Sequence, residues 1–313
     1  MNRKHVFGPI LSRRLGVSLG VDLTTPRTCP QDCIYCEARA TENLTAERRE
    51  YVPVDEVINE LETVMAAIPA PDYITFSGAG EPTLNSRIGD VVKFIKTNFP
   101  QQKLCLLTNG VLLGDETLQR ELAPVDLVIP SLDASNEVEY RLINRPVHTS
   151  TLAQLVKDIA GFARNFHNKL VLEIFVIPGM NDSAESIVRF RELVKIIAPA
   201  AIQLNTLDRP GVIKDLVPAS AETLTRFVEA LSPLCEVETV KPLQKKARQT
   251  ISTSLEESLL EIIRHRRLSR TALAEVSGIP ADELEPLIKR LYERELAEVD
   301  AGGFITGKPL NSR

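Results

Sequence analysis

Short β-type runs that alternate with longer amphipathic segments constrain this chain more than any other feature. The runs are "VSLGVDL" (17–23), "YITFS" (73–77), "LCLLT" (104–108), "DLVIPS" (126–131), "LVLEIFVIP" (170–178) and "AIQLN" (201–205). Helical patterns fall near 54–67, 87–98, 115–122, 150–166, 183–197 and 220–232. Repeated strand–helix units predict an α/β fold, a parallel sheet covered by helices. About six such units are too few to close a full barrel, whose strand count is eight, so an open or partial barrel is expected.

Nearly every run ends in polar or turn residues: "SGAGEPT", "TNG", "SLDAS", "IPGMND" and "NTLDRPG". Ligands of parallel α/β proteins bind at the carboxyl ends of strands, and these loops would share one rim. Any one of them reads as an ordinary turn. Their succession predicts a site.

The stretch "RTCPQDCIYCEAR", Arg27 to Arg39, holds three of the chain's five cysteines at a C-x3-C-x2-C spacing. An odd count spread over 313 residues is not a disulfide framework. Clustered cysteines in a reducing compartment point to metal or redox chemistry instead. Zinc normally takes four nitrogen or sulfur ligands, often as two pairs, and this chain has no second C-x2-C. Thioredoxin-like exchange needs two cysteines and leaves the third unexplained. A [4Fe–4S] cluster held by three thiolates accounts for the number and leaves one iron open to a small molecule. Cys105 and Cys235 lie in apolar, strand-like runs and read as small core residues.

Composition limits the setting. With 43% hydrophobic and 25% charged residues the chain is ordinary for a globular protein. It contains no apolar run near the roughly 20 residues that span a bilayer. Its start, "MNRKHVFGPILSRRLG", lacks the apolar core of a signal peptide, so a cytoplasmic protein without membrane contact is expected. A net charge of -5 excludes a general polyanion binder and requires any nucleic-acid contact to use a local basic patch.

"CPQDCIYC", with its aromatic residue before the third cysteine, and "FSGAGEPTL", after the second run, resemble the cysteine signature and GGEP motif of the radical S-adenosylmethionine superfamily. The resemblance implies a partial (β/α)6 barrel. It implies that Cys29, Cys33 and Cys36 hold a [4Fe–4S] cluster whose fourth iron takes the methionyl end of S-adenosylmethionine. Reductive cleavage would then give methionine and a 5′-deoxyadenosyl radical that abstracts hydrogen from substrate, the cofactor carrying the difficult chemistry. A flavodoxin or ferredoxin-type protein would donate the electron. The resemblance also sets Tyr35 against the adenine, Ser77, Gly78, Gly80 and Glu81 near the methionyl ammonium, and Ser131 and Asp133 at the ribose, with Thr108, Asn109 and Asn205 facing the same rim. Each position also has a plain structural reading: a core aromatic for Tyr35, a turn for the glycines, a helix cap for Glu81, satisfied turns for the asparagines.

Further along, "SLDA", "NRPV" (144–147), "VIPGMND" (176–182) and "IQLNT" (202–206) resemble the enzymes that build the tricyclic base of wyosine on tRNA. That likeness covers about residues 6–210 and implies tRNA base modification. The chain departs from those enzymes in having no cysteine before Cys29 for a second cluster and no lysine between Lys4 and Lys93 for a Schiff base. A protein, peptide or small-metabolite substrate therefore stays open, as does a non-catalytic iron–sulfur regulator that binds nucleic acid.

Three segments are expected: a barrel over 1–240, a basic linker over 241–254 and a winged helix over 255–313. In the last, helices and a short "AGGFITG" hairpin follow in winged-helix order, with the Gly278 turn before the third helix. This tail would recognise tRNA or a peptide, or merely pack. Its third helix carries more acids than bases, which disfavours major-groove reading. Bases concentrate instead in "KKAR" (245–248) and "RHRRLSR" (264–270), and Arg13 and Arg14 could add a phosphate contact.

Overall fold

The computed structural model describes residues 4–208, 211–213, 215–240, 256, 259–260, 262–263, 267–277, 279–300 and 302–308. One eight-stranded sheet organises them. Its strands are β1 (Val6–Ser12), β2 (Gly16–Val21), β5 (Tyr73–Phe76), β6 (Leu104–Thr108), β7 (Leu127–Pro130), β8 (Lys169–Val176), β9 (Ala201–Thr206) and β10 (Glu236–Thr239), in that spatial order. A separate short pair, β3 (Thr28–Cys29) and β4 (Asn43–Leu44), lies within the cysteine segment. β1 pairs antiparallel with β2, and every later neighbour in the large sheet is parallel.

The helices between the strands are α1 (Val54–Ala67), α2 (Ile88–Asn98), α3 (Glu116–Leu122), α4 (Glu137–Ile143), α5 (Leu152–Asn165), α6 (Ala184–Ile197) and α7 (Ala221–Leu231). Asp115, Asn136, Thr151, Ser183 and Ser220 start five of them by accepting a first-turn backbone N–H. Their apolar faces cover one side of the sheet. Along β8 and β9, Leu172, Ile174, Val176, Ile202 and Leu204 point into this main core. The intervening Val171, Glu173, Phe175, Ala201, Gln203 and Asn205 point to the opposite, inner face, as strand alternation requires.

The six expected strands and six expected helices are all present, with ends shifted by a residue or two. Further elements, β1 and α4 among them, are not in the sequence pattern. β1 is hidden by the Gly8–Pro9 dipeptide, which reads as a turn; proline is tolerated there because an edge strand pairs on one side only. α4 is seven residues long, too short to show a period. β10 is an edge strand of four residues whose glutamates face outward. Cys105 is fully buried as expected, whereas Cys235 is only half-buried against the main core.

The C-terminal residues build α8 (Arg270–Ser277), α9 (Ala281–Glu293) and an antiparallel pair, β11 (Ala297–Val299) and β12 (Ile305–Gly307). Their core includes Leu260, Ile262 and Ile263, together with Leu273, Val276, Ile288, Leu291 and Ile305. It also takes in Phe7 and Ile10 of β1. The Phe7 ring lies where a side chain on Gly20 would be, 2.1 Å from that Cβ position. The tail is therefore packed onto the first hairpin. The linker, Gly278 and the bases at 245–248 and 264–266 lie outside the described residues. Arg267, the next base of that run, pairs with Asp300 and covers the Phe304 ring at 4.9 Å. Among the described residues no helix is long and apolar enough to cross a membrane.

Candidate metal and cofactor site

Because the strands are parallel, the segments after β2, β5, β6, β7, β8 and β9 leave from one rim. The cysteine segment follows β2 and is held along its length by the others. Arg27 N–H donates to the Ala79 carbonyl at 2.7 Å, and Glu81 N–H donates to the Thr28 carbonyl at 3.0 Å. On the other flank, Asp32 and Ile34 N–H groups bond the carbonyls of Asn144 and Ile143, and Val147 N–H bonds that of Pro30. Ile213 N–H reaches back to the Ile34 carbonyl at 3.0 Å. Arg27 and Arg39, which bracket the segment, both adopt positive φ (59° and 80°), conformations that ordinary side chains seldom take. The "NRPV" motif thus serves as the clamp on the cysteine loop.

Two asparagines aim amide donors at the cysteines. Asn109 Nδ2 lies 3.4 Å from Cys29 Sγ, and Asn144 Nδ2 lies 3.4 Å from Cys33 Sγ. Burial pushes all three thiols up, Cys36 to about 11, with Glu81 adding repulsion at Cys29 and Asp133 at Cys33. Uncharged thiols in such a desolvated place become thiolates only on gaining a metal. No three His, Cys, Asp or Glu side chains among the described residues converge on a single ion. An iron–sulfur cluster binds each thiolate on a different iron, so its ligands need not meet at a point. The buried Asn144 Oδ1 has no hydrogen-bond partner. Donors aimed at sulfur, desolvated thiols and an open acceptor beside them fit a cluster with a small-molecule ligand.

The other rim residues fall into two groups. Glu81 is buried and accepts from Thr83 N, Thr83 Oγ1, Thr108 Oγ1 and Asn109 N at 2.6–3.2 Å. Desolvation raises its pKa despite those bonds. It caps the turn Pro82–Leu84 and ties β5 to β6, so the cap reading describes its contacts. Gly78 and Gly80 also face protein: a Cβ at Gly78 would lie 2.1 Å from Asp22 Cγ, and one at Gly80 would lie 2.4 Å from the Thr28 carbonyl oxygen. Asp22 in turn accepts from Ala79 N at 2.8 Å.

Around Asp133 the arrangement is different. Its carboxylate accepts from the Tyr35 hydroxyl, from Asn144 Nδ2 at 2.9 Å and from Phe175 N at 3.0 Å. Tyr35 stacks on Phe175 with ring centroids 4.0 Å apart, in an apolar cluster with Ile34, Ile143 and Ile177. Asn181 donates to the Asp133 and Phe175 carbonyls, both at 2.8 Å, which accounts for the asparagine of "VIPGMND". Ser131, just beyond the end of β7, bridges to Glu173 of β8. Ser77 lines a small cavity with Ser18, Thr75 and Leu107 beneath the first hairpin.

Sequence reasoning missed Glu173, Asn144, Phe175 and Asn181. Glu173 stands on the inner face, bonded to Arg14, with Asn205 Nδ2 at 3.5 Å. A single acid within "LVLEIFVIP" was the available signal. Arg13 and Arg14, which could add a phosphate contact, join the first hairpin turn to the far strands, Arg14 through Glu173 and Arg13 lying 3.4 Å from Asp208.

Residues 23–191 match the family model of the Radical SAM superfamily. The chain is 32% identical to a UPF0026 protein of Helicobacter pylori over 86% of both chains. It is also 32% identical to a protein named GTPase Obg of Brachyspira hyodysenteriae, covering 94% of this chain but 43% of that protein. A probable dual-specificity RNA methyltransferase of Chlorobium phaeobacteroides is 27% identical over 64% of this chain and 56% of its own. Among solved structures, a radical SAM methyltransferase from Sphaerobacter thermophilus superposes with a TM-score of 0.58 at 18% identity, covering 71% of this chain and 65% of that one. The family uses a [4Fe–4S] cluster and S-adenosylmethionine. With the half-buried cysteine loop seated on the strand-end rim of a mostly parallel sheet, the chain belongs to the radical SAM superfamily and is one of its enzymes.

Proposed function

We propose that Cys29, Cys33 and Cys36 hold the cluster and that the enzyme modifies a base in RNA. When bound, cluster and S-adenosylmethionine supply reductive carbon–sulfur cleavage; the protein's own residues place the two and keep water out. The observation that carries the site assignment is the pair of asparagine amides directed at Cys29 and Cys33 sulfurs. Asp133 holds Tyr35 against Phe175, and that stacked pair is the apolar wall for the adenine. Ser131 and Asn205 lie beside it for the ribose side; Ser77, Gly78, Gly80 and Glu81 shape the methionyl side. Because Glu81 and Asp133 spend their carboxylates on protein donors, they act by positioning.

The RNA reading is supported by the wyosine-type motifs and by the RNA methyltransferase relative. The parallel strands β2 and β5–β9 form the partial (β/α)6 barrel over 1–240, and the tail is read as a winged helix that delivers substrate. A flavodoxin or ferredoxin-type protein supplies electrons. The acidic character of α9 favours a peptide or metabolite as the second reading; its Arg290 and the adjoining Arg294 both pair with Glu256. Mass spectrometry of tRNA nucleosides from a deletion strain tests the choice. Loss of one modified nucleoside, restored by wild-type but not by Cys33→Ala protein, is expected. An unchanged nucleoside profile would transfer the assignment to peptides or metabolites.

A further inference from the structure

Asn144 differs from Asn109, the other amide aimed at a cysteine sulfur. Its amide must point Nδ2 toward Cys33 Sγ (3.4 Å) and Asp133 Oδ2 (2.9 Å), because a thiolate and a carboxylate both accept and the reversed amide would oppose oxygen to each. That orientation leaves Oδ1 buried without a partner. Buried acceptors of this kind are rarely left unmade in a native protein, since the desolvation is uncompensated. Asn109 gives the contrast. It too donates to a cysteine sulfur, but its Oδ1 accepts from Val111 N at 3.0 Å and its own N–H is bonded to Glu81. Asn109 is satisfied within the protein, and Asn144 is one bond short.

We propose that Asn144 is a positioning residue that couples the two halves of the site. Its Nδ2 donates to the Cys33 thiolate, and its Oδ1 accepts from an N–H or O–H group of bound S-adenosylmethionine. The inference rests on Cys33 being a cluster ligand. A hydrogen bond to sulfur stabilises the more electron-rich, reduced cluster, so this one residue would set both the ease of reduction and the hold on the molecule to be cleaved. No bond is made or broken by Asn144 itself. Its main chain would still clamp the cysteine loop in any variant, because the Asp32 N–H bonds its carbonyl rather than its side chain.

The experiment compares Asn144→Leu and Asn109→Leu with wild type, each reconstituted anaerobically to equal iron content. Two readouts are independent of turnover: the cluster's midpoint potential by EPR-monitored titration, and S-adenosylmethionine affinity by equilibrium dialysis on the oxidised cluster. Both variants should show a more negative potential. Asn144→Leu alone should also lose about tenfold in affinity, the usual effect of one hydrogen bond to a charged or strongly polar ligand. If Asn144→Leu does not assemble a cluster, the smaller Asn144→Ala, which also removes both amide atoms, is read in the same two measurements with the same expected shifts. Wild-type potential and affinity in a fully loaded Asn144 variant would overturn the proposal. A cluster that persists in Cys33→Ala would instead overturn the ligand assignment beneath it.

Discussion

At the scale of single residues, the glycines of "SGAGEP" are required by packing as much as by any ligand. The Cβ that an alanine would add at Gly80 would stand 2.4 Å from the Thr28 carbonyl oxygen and 2.3 Å from Thr24 Oγ1. The Thr28 oxygen is main chain and already bonded to Glu81 N–H, so it cannot step aside cheaply. Gly80→Val should therefore displace the start of the cysteine loop, and reconstituted iron per chain should fall by more than half. Gly179 is the control: its φ of 77° costs strain on substitution, but nothing lies within 4 Å of its Cβ position. Gly179→Ala should lose about 1 kcal/mol of stability and no iron. Iron content unchanged in Gly80→Val would show that the loop does not depend on this contact.

At the scale of elements, the first hairpin joins the two cores. Phe7 and Ile10 project from β1 into the C-terminal core, and Arg39 of the cysteine segment donates to Thr306 Oγ1 of β12 at 2.9 Å. Removing residues 255–313 would expose Phe7 and Ile10, so the truncated chain should lose stability and solubility along with any substrate contact. Phe7→Ala in the full chain should cost about 3–5 kcal/mol in urea denaturation, from the lost burial and the hole over Gly20. The opposite end of the hairpin carries the Arg14–Glu173 pair on the inner face, where each side chain is less than one-fifth exposed. Glu173→Gln removes the carboxylate charge opposite Arg14 and should cost about 3 kcal/mol, whereas Arg14→Met with Glu173→Leu should recover most of that. A double variant whose loss equals the sum of the losses in Arg14→Met alone and Glu173→Leu alone would mean that the pair is not coupled.

At the scale of the whole molecule, periodicity and strand-end loops carried most of the fold, because each helix and parallel strand repeats a burial pattern long enough to read. The elements that escaped were the interrupted and the short ones: β1 behind Gly8–Pro9 and the seven-residue α4. The cysteines were readable because their spacing is local. Asn144 and Asn181 were legible only as letters in motifs, since what they do depends on groups far along the chain: Cys33 lies 111 residues from Asn144, and Asp133 lies 48 from Asn181. The ion pairs of Arg13 and Arg14 were illegible for the same reason. Charge on a short turn suggests phosphate, and only the tertiary structure brings Asp208 and Glu173 within reach.

Single-turnover chemistry on the anaerobically reconstituted full chain, reduced with dithionite and supplied with S-adenosylmethionine, probes the cysteine assignment most directly. Wild-type protein holding one [4Fe–4S] cluster should release 5′-deoxyadenosine, and Cys29→Ala, Cys33→Ala and Cys36→Ala should each release none. A fully loaded wild-type cluster that leaves S-adenosylmethionine intact, or a cysteine variant that still cleaves it, would contradict the assignment of these three residues.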